Sequence, residues 1–385
     1  MTGAWSSEQF EQVRDLVVSF CRKRIMPGAA ERDRNGTFPS EILQEMGALG
    51  LFGVFVPEEL GGAGMDLMTY LMIVEEIAKV DASIAVTISV TNSVCGWPIL
   101  QFGSQEQQER YLRPLASGHT LGGFMLTEPG AGSDAASLTT RYRDAGDAFV
   151  IDGNKAWITN AGVAKTFVCL ATKDPSLGAR GISAFILDAD QDGVIVNKPE
   201  EKMGLRSSRT AMVTLDGARV PKSALLGEEG HGFAIALATL DHSRLGIAAQ
   251  AVGIARGALE EALRWARDRQ QFGRPLFDHQ AIAFRLAEMD TDIAAARALL
   301  REAAQVAMMP GRHSRESARA KLFASEMCNR VVAAAIQIHG GYGYSKEYPI
   351  ERLYRDARVT TVYEGTSEVQ KIVISRALKQ AAEAL

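Results

Sequence analysis

A single carboxylate near the C-terminus, Glu364, stands where it could act as a general base. Gly365 follows it and permits a tight turn within the run Tyr363-Glu364-Gly365-Thr366-Ser367-Glu368. Ser367 and Gln370 have the Ser-x-x-Gln spacing of a capping box, which predicts that a helix begins there. Such a turn can direct a carboxylate into a cleft, and the N–H groups of the helix start can bind an anion. Taken alone, the segment is more typical of a solvated turn glutamate beside an ordinary N-cap.

A loop rich in small residues offers a second set of groups that could contact a ligand. It reads Thr127-Glu128-Pro129-Gly130-Ala131-Gly132-Ser133-Asp134, and its proline and glycines favour a loop whose backbone N–H groups face a ligand. Thr127 and Ser133 add hydroxyl donors. Further along, Trp157-Ile158-Thr159 supplies a flat aromatic side chain against which a planar ring system could pack. An ordinary surface loop could have the same residues as the first segment, and a tryptophan in the protein core would look the same as Trp157. These segments alone therefore only suggest a site.

Several other catalytic and cofactor-binding patterns are absent from the sequence. There is no Gly-x-Gly-x-x-Gly between a strand and a helix, no phosphate-binding Gly-x-x-x-x-Gly-Lys-Ser/Thr, and no Gly-x-Ser-x-Gly. A Rossmann-type NAD enzyme and a serine hydrolase are therefore disfavoured. The 4 cysteines form no Cys-x-x-Cys pair and the 6 histidines are scattered. We therefore expect no disulfides, no metal site and a cytoplasmic location.

The composition is that of an ordinary globular protein. The 385 residues are 46% hydrophobic and 23% charged, and they suffice for two or three domains. A net charge of -4 argues against nucleic acid as the main partner. The N-terminus lacks a basic region followed by an apolar core, so we expect no signal peptide. Residues 82–105 carry no charge but contain too many polar residues for a membrane span. They predict a buried helix from Ser83 to about Val94 that ends near Gly96.

Hydrophobic periodicity divides the chain into three regions, 1–118, 119–227 and 228–385. The first is helical, with Leu67, Tyr70 and Val74 at helical spacing. In the second, short β-rich runs predict an antiparallel sandwich or barrel, with a tight turn at Asp152-Gly153. The third predicts a bundle with long helices over Phe233–Arg267, Ala281–Met308, Ser314–Ile338 and Glu368–Ala384. The predicted fold class is α+β, in the order helical, β, helical.

Four motifs in this order resemble the acyl-CoA dehydrogenase family, and the resemblance runs nearly end to end. The first is the loop Thr127–Asp134. The others are Arg269-Gln270-Gln271-Phe272-Gly273-Arg274 with His279-Gln280, then Gln337-Ile338-His339-Gly340-Gly341-Tyr342-Gly343-Tyr344, and finally Arg355-Asp356 with Tyr363–Glu368. The resemblance implies an N-terminal α-helical domain, a middle β domain, a C-terminal four-helix bundle and an FAD cofactor.

The resemblance assigns a large set of residues to FAD, which would lie between the β domain and the bundle. The isoalloxazine would be lined by Phe124, Leu126, Thr127, Gly132, Ser133, Trp157, Ile158 and Thr159. A second subunit would complete the site by reaching the pyrophosphate and adenosine side with Arg269, Phe272 and Gln280. Gln337, Gly340 and Gly341 would allow the cofactor to approach the backbone closely, and Thr366 and Glu368 would complete the set.

The resemblance also implies a role for Glu364. It would remove the α proton of an acyl-CoA thioester while flavin N5 accepts the β hydride, giving a trans-2-enoyl-CoA. The Glu364 N–H and a ribityl hydroxyl would polarise the thioester carbonyl, and a water-excluded pocket would raise the pKa of Glu364. Some members take their base from the position of Ser243. Because serine cannot act at neutral pH without an activating partner, Glu364 keeps the role here.

The remaining substrate contacts follow from the same resemblance. Ser133, Asp241 and Arg244 would hold the CoA portion; the alternative for the last two is an ion pair on a helix surface. Tyr363 and Gly365 flank the base and would contact the acyl group. Val90 stands where medium-chain members have an acidic residue and short-chain members an apolar one. We therefore expect a short- to medium-chain preference, centred on butyryl- to hexanoyl-CoA, and a role in fatty acid β-oxidation.

Partners and alternative functions follow from the family as well. The expected partners are an electron-transferring flavoprotein and further copies of the chain in a homotetramer, a dimer of dimers. One alternative is a dehydrogenase for acyl or aminoacyl groups tethered to a carrier protein. Another is an oxygen-using relative, which the glutamate in Tyr363-Glu364-Gly365-Thr366 argues against. A non-enzymatic, nucleic-acid-associated flavoprotein is disfavoured because arginine and glutamate intermix in the C-terminal region.

Overall fold

The first region is helical in the computed structural model, which describes residues 7–383. Its helices are Ser7–Phe20 (α1), Ala29–Asn35 (α2), Ser40–Ala48 (α3), Leu67–Ala78 (α4), Ala82–Ser89 (α5), Trp97–Phe102 (α6), Gln105–Gln107 (α7) and Arg113–Ala116 (α8). Short π-helical segments lie at Cys21–Ile25, Val90–Gly96 and Gln108–Leu112. The apolar residues that predicted α4 are all buried, so the helical periodicity located this element correctly.

α5, the π-helical segment Val90–Gly96 and α6 form one continuous helix from Ala82 to Phe102. The predicted end near Gly96 was wrong, because the wider π-helical turn before Pro98 accommodates a residue that lacks an N–H. By length and composition, this is the one helix among residues 7–383 that could cross a membrane. Since 89% of the most apolar stretch of this helix is buried inside the protein, the predicted burial is confirmed.

The middle region is an eight-stranded sheet. Its strands are Gly122–Met125 (β1), Arg141–Asp144 (β2), Ala148–Thr159 (β3), Thr166–Thr172 (β4), Ile182–Asp188 (β5), Val194–Pro199 (β6), Thr210–Pro221 (β7) and Leu225–Leu226 (β8). The order is β6-β7-β3-β2-β4-β5-β8, with β1 beside β4. Most pairs are antiparallel as predicted, but β1 and β2 both run parallel to β4, so the sheet is mixed.

β3 does not turn at Asp152-Gly153, so the predicted tight turn was wrong. The strand continues to Thr159, and the glycine marks a register shift against β7. Gly153 has a φ of 155°, and a Cβ there would lie 2.5 Å from the Thr140 Oγ1, so the close approach excludes a side chain. A second shift follows between Lys155 and Ile158. Because of it, Trp157 is 62% exposed, whereas Ala156 and Ile158 on either side are buried.

The third region contains the helices Gly232–Asp268 (α9), Gln280–Ala307 (α10), Ser314–His339 (α11), Pro349–Arg358 (α12) and Ser367–Ala382 (α13), with a small hairpin of Gln270–Gln271 (β9) and Arg274–Pro275 (β10). The order helical, β, helical is therefore confirmed. The predicted end of the last helix, Ala384, lies outside the described residues. The prediction missed α12, although Ile350, Leu353 and Ala357 recur at helical spacing and are buried.

Contacts at the ends of the sheet join it to the helical regions. Asn160 follows β3, and its Nδ2 donates to the Gly122 O at 2.9 Å and to the Thr87 O of α5 at 3.2 Å. The Leu205 N–H donates to the Asp356 Oδ1 of α12 at 2.6 Å. Phe124 packs against the core shared by the first region and the bundle, and also against the core beneath the sheet. The junction of sheet and helices therefore lies beside the residues assigned to the flavin ring.

Candidate active site

The turn that carries Glu364 lies just before α13 and has an unusual backbone conformation. Glu364 has a φ of 51° and Gly365 a φ of 92°, so both residues are left-handed. Glycine adopts this conformation freely, whereas a residue with a side chain needs support from its surroundings. The support comes from the Gln370 Nε2, which donates to the Glu364 O at 3.3 Å and to the Gly365 O at 2.9 Å.

The helix start after this turn differs by one residue from the predicted capping box. The N-cap is Thr366, whose hydroxyl accepts from the Val369 N–H at 3.3 Å. Ser367 is already helical, and its hydroxyl donates to the Glu326 Oε1 at 2.5 Å. The side chain of Gln370 reaches the two turn carbonyls instead of an N-cap amide. The prediction of a helix was right and the assignment of Ser367 as its cap was wrong.

The Glu364 side chain is half-buried, and its carboxylate is turned away from solvent. Its Oε2 is buried and has no hydrogen-bond partner among residues 7–383. Burial raises the pKa of Glu364 above its ordinary value, and this effect outweighs a hydrogen bond from Ser243 and the charges of Lys321 and Arg244. The predicted direction of the pKa shift is confirmed. An unpartnered carboxylate oxygen with increased basicity is suited to accept a proton from a bound ligand.

One turn of α9 packs against the Glu364 turn and carries Asp241, Ser243 and Arg244. Arg244 is buried, forms an ion pair with Asp241, and its Nε lies 3.5 Å from the Glu364 O. The ion pair of the alternative interpretation is therefore present, although Arg244 is buried instead of lying on the helix surface. Asp241 remains half-buried and also accepts a hydrogen bond from the Ser314 hydroxyl. Ser243 is fully buried beside Glu364.

Tyr363 and Val90 are both part of the large core shared by the first region and the bundle. The Tyr363 hydroxyl donates to the Gln250 Oε1 at 2.6 Å, and the Gln250 Nε2 donates to the Ala82 O at 3.1 Å. Val90 is 6% exposed and opens the π-helical segment that follows α5. These contacts fix Tyr363 between α9 and the start of α5. Val90 is surrounded by apolar residues of this core.

The loop after β1 and the irregular part of β3 are held together by a buried ion pair. The Lys155 Nζ lies 2.8 Å from the Glu128 Oε1 and 3.3 Å from the Leu126 O. The Ala156 N–H donates to the Thr127 O at 2.9 Å, which places Thr127 beside the exposed Trp157. Phe124, Thr127 and Thr159 are half-buried, whereas Gly132 and Ser133 are exposed. Leu126 and Ile158 direct their side chains into the core, so they could contact a ligand only through their backbone.

A second group of predicted residues lies around a cavity at the far end of α9. This cavity of about 490 Å³ is lined by Arg269, Gly340 and Gly341, among others. A Cβ on either glycine would meet no atom within 4 Å, so the backbone faces open space. Phe272 is 94% exposed at the tip of the β9–β10 hairpin. Gln280 and Gln337 are exposed and do not line the cavity, and Glu368 is exposed in the first turn of α13.

The residues around Glu364 and the residues around this cavity do not form one site within a chain. Arg244 and Arg269 are 25 residues apart (269 − 244) along α9 and its C-cap. At 1.5 Å per residue this corresponds to about 37 Å. One set of predicted residues lies together near Glu364: Asp241, Arg244, Tyr363, Gly365 and Thr366. The other set lies at the opposite end of α9 and contains Arg269, Gly340 and Gly341.

Two buried ionisable residues were missed from the sequence: Lys321, which contacts the Glu364 turn, and His242, which lies on α9. Lys321 is fully buried on α11, and its Nζ donates to the Gly365 O at 2.6 Å. Its position was visible as a charged residue on the apolar face of α11, four residues after Ser317 and seven before Cys328. His242 stacks on Trp97 with ring centroids 4.7 Å apart, and burial lowers its pKa to about 3. No motif marked this neutral ring.

Comparison with known proteins identifies the family. Three family models match, the N-terminal, middle and C-terminal domains of acyl-CoA dehydrogenase, over residues 7–119, 123–218 and 230–379. The caffeyl-CoA reductase–Etf complex subunit CarC of Acetobacterium woodii is 45% identical, covering 96% of this chain and 98% of its own. The short-chain-specific acyl-CoA dehydrogenase of Clostridium acetobutylicum is 44% identical, covering 95% and 96%.

A solved structure agrees with these matches. Butyryl-CoA dehydrogenase from Megasphaera elsdenii superimposes with a TM-score of 0.95 at 42% identity, covering 97% of this chain and 99% of that one. The three family models together cover all three regions of the chain, including the Glu364 turn. The chain belongs to the acyl-CoA dehydrogenase family.

Proposed function

We propose that this protein is an FAD-dependent dehydrogenase of short- to medium-chain acyl-CoA thioesters in which Glu364 is the base. Its family consists of flavin-dependent oxidoreductases. The observation that carries the proposal is the buried, unpartnered Glu364 Oε2 on a turn held from three helices. Its raised pKa brings the strength of the base closer to that of the weak α C–H acid.

The residues of the turn would divide the chemistry between them. Glu364 would take the α proton through its free Oε2, while its own N–H would donate to the thioester carbonyl as negative charge develops on that oxygen. When bound, FAD supplies the acceptor for the β hydride. Arg244 and Lys321 favour the ionised form of Glu364, so the carboxylate would be ready to act before substrate arrives.

The residues assigned to the flavin ring fit a planar cofactor. Trp157 presents its indole from an irregular strand, and Thr127 lies beside it. Cβ atoms at Gly130 and Gly132 would meet nothing within 4 Å, which leaves room for a ligand along the loop. Phe124, Ser133 and Thr159 would complete the contacts on this side, with Leu126 and Ile158 contributing backbone groups only.

We assign the adenosine and pyrophosphate side to a second subunit. Arg269 offers a cation and Gly340 and Gly341 an open backbone, which suit a phosphate chain, but they lie about 37 Å along α9 from Arg244. A second copy of the chain could bring this end, with Phe272, Gln280 and Gln337, to the flavin of the first. The same requirement supports a dimer, and we propose that two such dimers assemble into a homotetramer.

The proposed substrate contacts combine polar groups for CoA with an apolar acyl pocket. Asp241 and Arg244 lie within reach of the base, and the exposed Ser133 hydroxyl could add a third contact. Val90, buried among apolar residues, would close the acyl pocket and favour butyryl- to hexanoyl-CoA. The names of the Clostridium and Megasphaera relatives, short-chain-specific and butyryl-CoA dehydrogenase, support this range.

The proposed electron acceptor follows from the name of a relative, and the proposed location follows from the cysteines. The Acetobacterium relative is named as a subunit of a complex with Etf, which supports an electron-transferring flavoprotein as acceptor. All four cysteines are buried and free, which supports a reducing cytoplasm. β-Oxidation is then the proposed pathway for saturated acyl-CoA substrates.

Reduction of an enoyl-CoA is a second candidate function. One relative is named caffeyl-CoA reductase, and a buried carboxyl with a raised pKa can deliver a proton as well as accept one. By microscopic reversibility Glu364 would act as the acid at the α carbon in that direction. The redox potential of the partner, rather than the residues of the turn, would then decide the direction.

Steady-state turnover against a panel of thioesters tests the proposal. Saturated acyl-CoAs from butyryl to dodecanoyl are offered with an artificial electron acceptor, and crotonyl- and cinnamoyl-type CoAs are offered with reduced flavoprotein. Each methylene that fits gains about 0.8 kcal/mol, so kcat/KM must fall beyond hexanoyl for Val90 to close the pocket. Values that still rise from hexanoyl- to dodecanoyl-CoA would show an open pocket, and inactivity in both directions would reject the proposed function.

A further inference from the structure

The conformation of the Glu364-Gly365 turn is supported through its carbonyl oxygens. Two successive left-handed residues direct the Glu364 O and the Gly365 O toward side chains of the bundle. Such a conformation is unfavourable for glutamate and persists only where surrounding groups hold it. The groups that hold this turn therefore also determine where the carboxylate points.

Lys321 is the most costly of these groups to bury. Its side chain is completely inaccessible, and its Nζ donates to a neutral acceptor, the Gly365 O, at 2.6 Å. Among residues 7–383, no carboxylate oxygen lies close enough to form an ion pair with it. A methionine would fill the same space without the desolvation cost of an ammonium group. A buried ammonium group at this place therefore indicates a role beyond packing.

The other donors arrive from different helices. Gln370 on α13 is fully buried and bridges both turn carbonyls, while Arg244 on α9 approaches the Glu364 O at 3.5 Å. Lys321 joins them from α11. The charged groups that face Lys321 are Glu364, Arg244, Glu326 and Glu368, and burial lowers the pKa of Lys321 to about 8. The turn is thus held from three directions, by a cation on two of them.

We propose that Lys321 and Gln370 are positioning residues that hold the conformation of the Glu364-Gly365 turn. In this conformation the Glu364 carboxylate and the Glu364 N–H both contact the same thioester group. The inference rests on the proposed function, because it takes Glu364 to be the base. Neither residue touches the reacting atoms: Lys321 acts through the Gly365 carbonyl and Gln370 through both carbonyls. Loss of either should affect the chemical step more than substrate binding.

The substitution Lys321→Met tests the charged half of this pair of positioning residues. Lys202→Met is the matched control, because the half-buried Lys202 Nζ also donates to a backbone carbonyl, that of Ser208, at 2.8 Å in the β region. Both variants are purified with FAD and compared in thermal unfolding, kcat, KM and the pH dependence of kcat/KM. We expect Lys321→Met to lose about 100-fold in kcat with KM nearly unchanged. In the Lys321→Met variant, the acid limb of the kcat/KM profile, where the rate declines at low pH, should move to higher pH. The reason is that the variant lacks a cation that favours the ionised form of Glu364.

Gln370→Met tests the uncharged half and keeps the inference testable if Lys321→Met does not fold. Its control is Gln107→Met, since the buried Gln107 Nε2 also donates to two backbone carbonyls, those of Ser223 and Leu225, at 2.8 Å each. Gln370→Met should lower kcat without moving the acid limb, because no charge is removed. The two controls should keep the wild-type kcat and pH profile.

The outcomes separate this inference from the proposed function. If Glu364→Gln is inactive but Lys321→Met and Gln370→Met keep the wild-type kcat and acid limb, the two residues are structural and the inference is wrong. A Gln370→Met variant with wild-type kcat would overturn it even if Lys321→Met could not be purified. If Glu364→Gln itself remains active, the proposed function fails instead.

Discussion

The ammonium of Lys155 and the carboxylate of Glu128 form an ion pair at 2.8 Å in which both side chains are buried. The Glu128 Oε2 also accepts from the Thr139 N–H at 2.7 Å, and the Oε1 accepts from the Thr140 N–H at 3.0 Å. Although burial opposes ionisation, Lys155 and these hydrogen bonds lower the pKa of Glu128 to about 2. The pair fastens the loop assigned to the flavin to the strand that carries Trp157.

Removing one partner of this pair should be strongly destabilising. Lys155→Met leaves Glu128 ionised and unpaired in the core, and we expect a loss of about 3–5 kcal/mol in the free energy of unfolding, measured by urea denaturation of the apoprotein. The exposed pair Lys165–Asp190 is the control, and Lys165→Met should cost under about 1 kcal/mol. Equal losses in the two variants would mean that the buried pair does not anchor the loop.

The same pair predicts how stability depends on pH. The folded pKa of Glu128 lies below its ordinary value of 4.5, so its contribution is complete above pH 4.5 and is lost as the pH falls toward about 2. The stability difference between wild type and Lys155→Met should therefore shrink across this window. A difference that stays constant from pH 6 to pH 3 would argue against an ionised Glu128.

The pH dependence of turnover should report Glu364. Because burial raises its pKa above 4.5, kcat/KM for dehydrogenation should decline as the pH falls through a value above 4.5. In the reductive direction Glu364 must hold a proton, so that rate should instead decline as the pH rises. The two profiles are measured on one preparation with saturating electron partner. An acid limb at or below pH 4.5 would contradict the buried position of the base.

A shared site between subunits predicts complementation. Arg269→Ala and Glu364→Gln should each be inactive or weakly active alone, yet a mixed dimer has one site with both residues intact. Random mixing of equal amounts should restore about one quarter of wild-type activity, because half of the dimers are mixed and each has one good site. If both residues served the same chain, co-expression would restore nothing.

The base can also be moved within the site. Ser243 is fully buried next to Glu364, so a longer acidic side chain at this position should reach the same substrate carbon. Adding Ser243→Glu to Glu364→Gln should restore part of the lost turnover, whereas adding Ser243→Gln should not. Failure of the acid to restore more activity than the amide would place the α carbon away from α9.

Sequence patterns predicted the order of the regions, and they singled out Glu364 as a candidate base. The long helices had clear periodicity, and Glu364 belonged to a motif with Gly365 and Thr366. The missed features depend on contacts between distant segments. Gly153 read as a turn because Asp-Gly usually marks one, but the nearby Thr140 makes it a close approach within a strand. The contact between Lys321 and the Gly365 carbonyl could not be predicted, because it depends on the packing of α11 against the Glu364 turn.

The N-cap of α13 shows the same limit on a smaller scale. Thr366 and Ser367 are both good capping residues, and the spacing of Ser367 to Gln370 favoured the wrong one. The choice was settled by tertiary contacts, because Gln370 is drawn to the turn carbonyls and Ser367 to Glu326. Local sequence could not supply that information.

The central claim, that Glu364 removes the α proton, is tested most directly by the rate at which substrate reduces the bound flavin. Glu364→Gln keeps the side-chain volume and removes only the basic oxygen. The account predicts a folded, yellow protein with wild-type FAD content whose reduction by butyryl-CoA in stopped flow is slower by about 100- to 10,000-fold. A variant that reduces its flavin at a large fraction of the wild-type rate would show that the base lies elsewhere.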